Sequence, residues 1–285
     1  MAKRLVVEEG LNVKGALEAV DLAKSSYYYA ARKRSPRALD NHLIVAIEAV
    51  LTANRGIYGY RKVARALQAG GMRVNHKRVL RHLRAMGRLQ KRKRKGIPWT
   101  RPSVVHPERS NTYWEMDTTT VWCGIDARRY LCGIIDAYDR GIPGACFSDR
   151  CRADEAIATL EAALAQRFGS RVPEHHTLVV RVDRGSQFVA RRFRQAAAAL
   201  GVTLEYAGIQ CPDDKPYIES FFGKYKTEEV YRMDYASAVE GGVAWELYRR
   251  WYETERLHQS LGYRTPGQVI TSANHHLSPV LPCPV

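Results

Sequence analysis

The sequence predicts an α/β fold: a sheet of mixed direction over residues 111–230, preceded by a small all-helical basic region and followed by a helical extension. Three observations predict it. From residue 111, strand-like apolar runs come three in succession and then alternate with helical ones, the order expected of a mixed sheet. Positive charge is segregated, with 25 Lys+Arg against 7 Asp+Glu in residues 1–110 and 20 against 22 in residues 111–285. Finally, two short amphipathic stretches flank the pair Gly70-Gly71.

The basic front spans residues 1–90. Residues 13–34 read as a short helix, a turn at Asp21–Lys24, and a second helix capped by Ser25 or Ser26. This is a small helix-turn-helix or a plain packing hairpin. The signal is stronger at 56–87. Val63, Ala64 and Leu67 share one face of a helix over 59–68, and the glycine pair breaks it. Asn75 caps a second helix in which Val79, Leu80, Leu83 and Met86 face inward, and Gly87 stops it. Lys77, Arg78, Arg81 and Arg84 are left on or near the outer side. Two helices about a glycine turn, the second lined with cations, match the arrangement that sets a helix in the major groove of DNA. A solvated helical hairpin is the plainer reading, and the charge split favours DNA.

Residues 91–110 read as a linker. Lys91, Arg92, Lys93, Arg94 and Lys95 repel one another and resist compact folding, and Pro98, Pro102 and Pro107 keep the rest of the segment extended. Such a run suits the phosphate backbone, where it adds affinity without sequence choice. The net charge of +16 likewise calls for a polyanionic partner.

Other classes fall away. No apolar run reaches eighteen residues, so no membrane span is expected. Acids at Glu8 and Glu9 come too early for a signal peptide. The six cysteines form no C-x-x-C pair and read as free thiols of a cytoplasmic protein.

In the sheet region, strands are expected at 113–120, 129–135, 143–148, 178–182 and 202–206, with helices at 153–168, 189–200 and 217–229. Three acids stand out. Asp117 lies within the first strand, Asp183 ends the apolar run Leu178–Val182, and Glu219 comes after thirty-five intervening residues on the last helix. Hard divalent cations favour carboxylate oxygen, and carboxylates from separate elements can hold two ions beside a phosphodiester. Lys226, seven residues past Glu219, shares its face of the helix. Glu219 and Lys226 taken alone are most simply solvated charges; the two aspartates and the spacing argue for a site. Arg184, Gln187 and Lys215 lie close enough in sequence to touch DNA or to be ordinary loop polarity, and His258 reads as a packing histidine.

Trp-Glu-Met-Asp-Thr-Thr (114–119), Val-Asp-Arg-Gly-Ser-Gln-Phe (182–188) and Pro-Asp-Asp-Lys-Pro-Tyr-Ile-Glu-Ser-Phe-Phe (212–222) resemble the integrase-type catalytic core of bacterial insertion-sequence transposases. The thirty-five-residue gap and Lys226 point to the second-reading-frame product of the insertion sequence three family. Ile-Tyr-Gly-Tyr-Arg-Lys-Val (57–63) and the run from Trp251 to Pro266 extend the match to nearly the whole chain. The resemblance implies an RNase H-like catalytic core at 111–230 and a C-terminal helical extension and tail at 231–285. It also implies Asp117, Asp183 and Glu219 as the catalytic, metal-binding trio, with two Mg²⁺ (or Mn²⁺) ions. By the same resemblance the partners are DNA (terminal inverted repeats and target), further copies of the chain on DNA, and an upstream-frame partner or fusion. The setting implied is the bacterial cytoplasm, at the nucleoid. The chain departs from the family pattern at Asp214 and at Glu253, where asparagine is usual. The alternative is a catalytically silent DNA-binding protein derived from a transposase.

Overall fold

The computed structural model describes residues 1–31, 38–90, 104–208 and 214–275. The chain divides into two compact units, Met1–Ala46 and Ile47–Val285. The first contains α1 (Ala2–Glu8), α2 (Val13–Ala19), α3 (Lys24–Ala31) and the start of α4 (Asn41–Ala53). Asn12 caps α2, its Oδ1 accepting from the Gly15 N–H at 2.7 Å. Helix α3 starts at Lys24, ahead of the serine cap expected from the sequence.

The second unit opens with the rest of α4, followed by the two helices flanking the glycine turn, α5 (Tyr60–Ala69) and α6 (His76–Ala85). Val63, Ala64 and Leu67 of α5 are buried, as are Val79 and Leu83 of α6. Asn75 caps α6 by accepting from the Lys77 N–H at 2.8 Å. Tyr58 ties this part to the C-terminal region: its hydroxyl donates to the Glu255 carbonyl at 3.1 Å and accepts from the Leu257 N–H at 2.8 Å.

Five strands form one sheet in the order β3-β2-β1-β4-β5. They are β1 (Tyr113–Trp122), β2 (Arg128–Asp136), β3 (Gly144–Ser148), β4 (Leu178–Val182) and β5 (Val202–Tyr206). The pairs β1–β2 and β2–β3 are antiparallel, whereas β1–β4 and β4–β5 are parallel. The parallel pairs need helical crossovers. These are α7 (Ala153–Phe168) before β4, then α8 (Ser186–Val189) and α9 (Arg191–Ala199) before β5. The single helix expected at 189–200 is thus two pieces, parted at Ala190, whose ψ of 137° is extended rather than helical.

Strand alternation sends opposite chemistry to the two faces. Trp114, Met116, Cys132 and Ile134 join Leu160, Leu164, Phe188 and Phe193 in one core cluster. Glu115 and Asp117 therefore point to the other face, where α10 (Pro216–Glu228) lies. Ile218, Phe221, Phe222 and Tyr225 of α10 are buried. Helix α11 (Ala238–Thr254) clamps it from behind through aromatic pairs, Phe221 with Tyr252 at 4.9 Å and Tyr225 with Tyr248 at 5.0 Å between ring centres. The chain's last described helix is α12 (Pro266–His275). This three-antiparallel, two-parallel sheet with helices on both faces is the RNase H-like α/β arrangement.

Candidate active site

The sheet itself brings two of the three acids together. Strands β1 and β4 run parallel with Tyr113 opposite Val179, Trp114 opposite Val180 and Glu115 opposite Arg181. Continued two residues further, that register sets Asp117 beside Asp183, on neighbouring strands about 4.8 Å apart. Both lie where the ladder between β1 and β4 has ended.

Between them stands a cation. Lys215 Nζ is 3.0 Å from Asp117 Oδ1 and 3.4 Å from Asp183 Oδ2, and Lys215 is only 5% exposed. The aspartates are further fixed by their own backbones. Asp117 Oδ1 accepts from the Thr118 N–H at 2.8 Å, and Asp183 Oδ1 accepts from the Gly185 N–H at 2.7 Å. Burial pushes the Asp117 carboxyl above its ordinary value, Lys215 pulls it back, and Asp183 adds to the upward push. A positive charge is what makes the pair tolerable at this depth.

Lys215 is held from several sides. Arg181 of β4 donates to the Asp214 carbonyl at 2.7 Å and pairs with Glu205 of β5. Asp214 Oδ2 accepts from the Gly208 N–H at 2.7 Å. Lys215 is the N-cap of α10 but its side chain caps nothing. The capping group comes instead from β1: Glu115 Oε2 accepts from the Tyr217 and Ile218 N–H groups, each at 2.8 Å. Glu115 is 1% exposed, and burial pushes its carboxyl up to about 7 against the pull of those two donors. An anion at a helix N-terminus is electrostatically favoured. Sequence reasoning misses Glu115; an acid inside an apolar strand, two residues before Asp117 on the same face, is the signal that could have found it.

Glu219 sits one turn beyond Lys215, its N–H bonded to the Lys215 carbonyl at 3.1 Å, and is exposed. Among the described residues no three acidic, histidine or cysteine side chains stand together as a metal-holding group. The structure thus brings Asp117 and Asp183 together around Lys215, and leaves Glu219 on the adjoining helix without closing the trio. Lys226 is half-buried on the same stripe.

Of the cations expected to face DNA on α6, Lys77, Arg78 and Arg84 are exposed. Arg81 is half-buried and its Nε is shielded from solvent, which puts it at the margin of that outer side. Its neighbour His82 is fully buried, because 79, 82, 83 and 86 form the inward stripe at helical spacing. Lys91, Arg92, Lys93, Arg94 and Lys95 lie outside the described residues.

Residues 107–212 and 200–266 match two integrase core domain models, and residues 38–96 match an HTH-like domain. The two core matches together run through more than half of the chain. The chain belongs to the integrase-core transposases of insertion sequences. A 31.7 kDa protein of insertion element IS407 from Burkholderia multivorans is 27% identical over 267 residues, covering 92% of each chain. The putative transposase InsK for IS150 of Escherichia coli is 26% identical, covering 88% of this chain and 90% of its own. The transposase for IS629 of Shigella sonnei is 29% identical, covering 87% of each. Among solved structures, a simian T-cell lymphotropic virus intasome is 16% identical at a TM-score of 0.48, covering 79% of this chain and 73% of its own. The HTLV-2 integrase catalytic core, solved in complex with magnesium, is 14% identical at 0.41, covering 56% and 96%. Integrase cores work with divalent metal, and this transposase joins one to an HTH-like DNA-binding domain. No described helix is long and apolar enough to cross a membrane.

Proposed function

We propose that this transposase cuts and joins DNA strands at the ends of an insertion sequence, with Asp117, Asp183 and Glu219 as its metal-holding trio and two Mg²⁺ (or Mn²⁺) ions as cofactor. The observation that carries the reading is the buried ammonium of Lys215 between the two aspartates. It occupies the place of a cation among hard oxygen donors, the donor type Mg²⁺ takes. Lys215 and Glu219 are four residues apart on one helical face, so a third carboxylate lies one turn from the ammonium that a divalent ion would displace. Bound metal would supply activation of the attacking oxygen and stabilisation of the leaving 3′-oxygen.

The chain's own residues do the rest. Glu115 fixes the start of α10, and with it the approach of Glu219 to the aspartates. Lys226, on the Glu219 stripe, holds a phosphate of the element's end. Lys77, Arg78 and Arg84 present α6 to the terminal repeat, with Arg81 at its margin, and the cations 91–95 add contacts to phosphates. In the first reaction water attacks phosphorus and the 3′-oxygen leaves with a proton. In the second, that 3′-hydroxyl attacks a target phosphodiester and displaces a new 3′-oxygen. Copies of the chain pair on DNA so that both ends react together, alone or with an upstream-frame product, in the bacterial cytoplasm and at its nucleoid.

The test incubates labelled element-end DNA with the protein and Mg²⁺ and looks for joined strands. Asp117→Ala, Asp183→Ala and Glu219→Ala are each expected to abolish joining while DNA binding survives. Joining that persists in any of the three removes that residue from the trio. Binding without joining in the parent chain favours the catalytically silent alternative.

A further inference from the structure

The turn after α4 holds an arginine where glycine is usual. The Gly56 N–H bonds to the Leu51 carbonyl at 2.7 Å and the Arg55 N–H to that of Thr52 at 3.3 Å. This paired closure of a helix end sets residue 55 in the left-handed backbone. Arg55 has a φ of 56° there, a conformation that glycine adopts freely and a side chain resists. A side chain kept against that resistance points to a task. Its contacts lie in the catalytic core. The Arg55 guanidinium pairs with the buried carboxylate of Glu229, the residue that ends α10. A cation at the C-terminal end of a helix is electrostatically favoured. The same guanidinium lies 5.6 Å from the Tyr248 ring centre and 5.3 Å from that of Trp251, within cation–π reach of two buried aromatics of α11. Arg232, just past α10, donates to the Arg55 carbonyl at 2.7 Å. From the other side Gln90, which follows α6, donates its Nε2–H to the Gly56 carbonyl at 2.7 Å. One turn within the HTH-like match is thus gripped by the end of α10 and tied to the segment leaving α6.

We infer that Arg55 is a positioning residue for DNA cutting: seated on Glu229, Tyr248 and Trp251, it fixes α6 relative to α10. It thereby sets the span between the sequence that is read and the bond that is cut. The inference rests on the strand-transfer reading for the reaction it positions. Glu219 stands ten residues before Glu229, about 15 Å back along the helix axis. Arg55 therefore acts at the far end of α10 from the acids, on where cutting occurs and not on its chemistry.

The experiment maps cutting of labelled element-end duplex by the full chain with Mg²⁺ at single-nucleotide resolution, beside nuclease footprints taken in EDTA. Arg55→Gly is the informative variant, because glycine suits the left-handed turn and only the side chain is lost. It is expected to bind the terminal repeat as tightly as the parent, to lose cutting at the parent's bond several-fold, and to cut neighbouring bonds instead. Glu229→Gln, which keeps the shape and removes the charge, is expected to shift cutting the same way to a lesser degree. In the footprint the parent is expected to cover the repeat and the adjoining element end, and Arg55→Gly to cover the repeat alone. Sharp cutting at the parent's bond by Arg55→Gly overturns the inference, and so does a uniform fall in cutting with its position unchanged. Loss of affinity for the repeat would also overturn it, by making Arg55 part of the DNA-reading fold alone. A parent chain that never cuts, with the footprints as expected, sinks the strand-transfer reading alone. Footprints alike in parent and variant, with cutting intact, sink the role of Arg55 alone.

Discussion

Replacing Glu115 with alanine removes the acceptor for the first turn of α10. Two N–H groups, on Tyr217 and Ile218, lose a carboxylate oxygen 2.8 Å away. Ile218 is fully buried, so its N–H finds no water; Tyr217 is half-buried and recovers part of its loss. An unsatisfied buried donor costs about 1–3 kcal/mol, and losing a capping group costs about 1 kcal/mol on its own. The Ile218 bond therefore dominates, and the total comes to roughly 3 kcal/mol. Glu115→Gln keeps an acceptor oxygen and forfeits only the charge, for about 1 kcal/mol. Urea denaturation of the three proteins at pH 8 measures both differences. Because α10 carries Lys215 and Glu219, strand joining is expected to fall in the alanine variant even where it is fully folded. An alanine cost below about 1 kcal/mol, or a glutamine cost equal to it, refutes the capping role.

The same geometry sets other outcomes. Lys215→Met leaves Asp117 and Asp183 facing each other without a cation, so Mn²⁺ affinity measured by electron paramagnetic resonance is expected to rise about tenfold, on the order of 1.4 kcal/mol; unchanged affinity would deny that the ammonium competes for the place. Burial pushes the Glu228 carboxyl up, but Arg256 overrides it and holds it below its ordinary value. Its stability contribution is present above the ordinary carboxylate range and lost as pH falls through the lowered value. Glu228→Gln is thus expected to be destabilised at pH 7 and to converge with the parent in acid, as read by thermal melts. At Gly144 a Cβ would lie 2.5 Å from the Thr159 carbonyl oxygen and 2.8 Å from Ala163 Cβ. Gly144→Ala is therefore expected to lower stability by about 2 kcal/mol by prising β3 from α7; a neutral result would show that the contact relaxes.

Much of this was legible in the chain because it is written in local pattern. The five strands appear where apolar runs predicted them, and the buried face of α10 comes from helical spacing of Ile218, Phe221, Phe222 and Tyr225. The three acids stand out by their neighbours and their separation. The features that escape the sequence depend on contacts between segments far apart. Glu115 caps a helix about a hundred residues away, and Lys215 reads as loop polarity until β1 and β4 are laid side by side. His82 looks as solvated as Arg81 in the sequence, yet the inward stripe of α6 takes it into the core.

Asp117 and Asp183, joined by Glu219, are proposed to hold divalent metal in place of an ammonium. A crystal grown with Mn²⁺ and measured for its anomalous signal tests it most directly. A peak is expected at about 2.1 Å from carboxylate oxygens of both aspartates, with Lys215 Nζ moved aside and Glu219 turned in. A cleft with no peak, and Lys215 still seated between Asp117 and Asp183 at saturating metal, would contradict it.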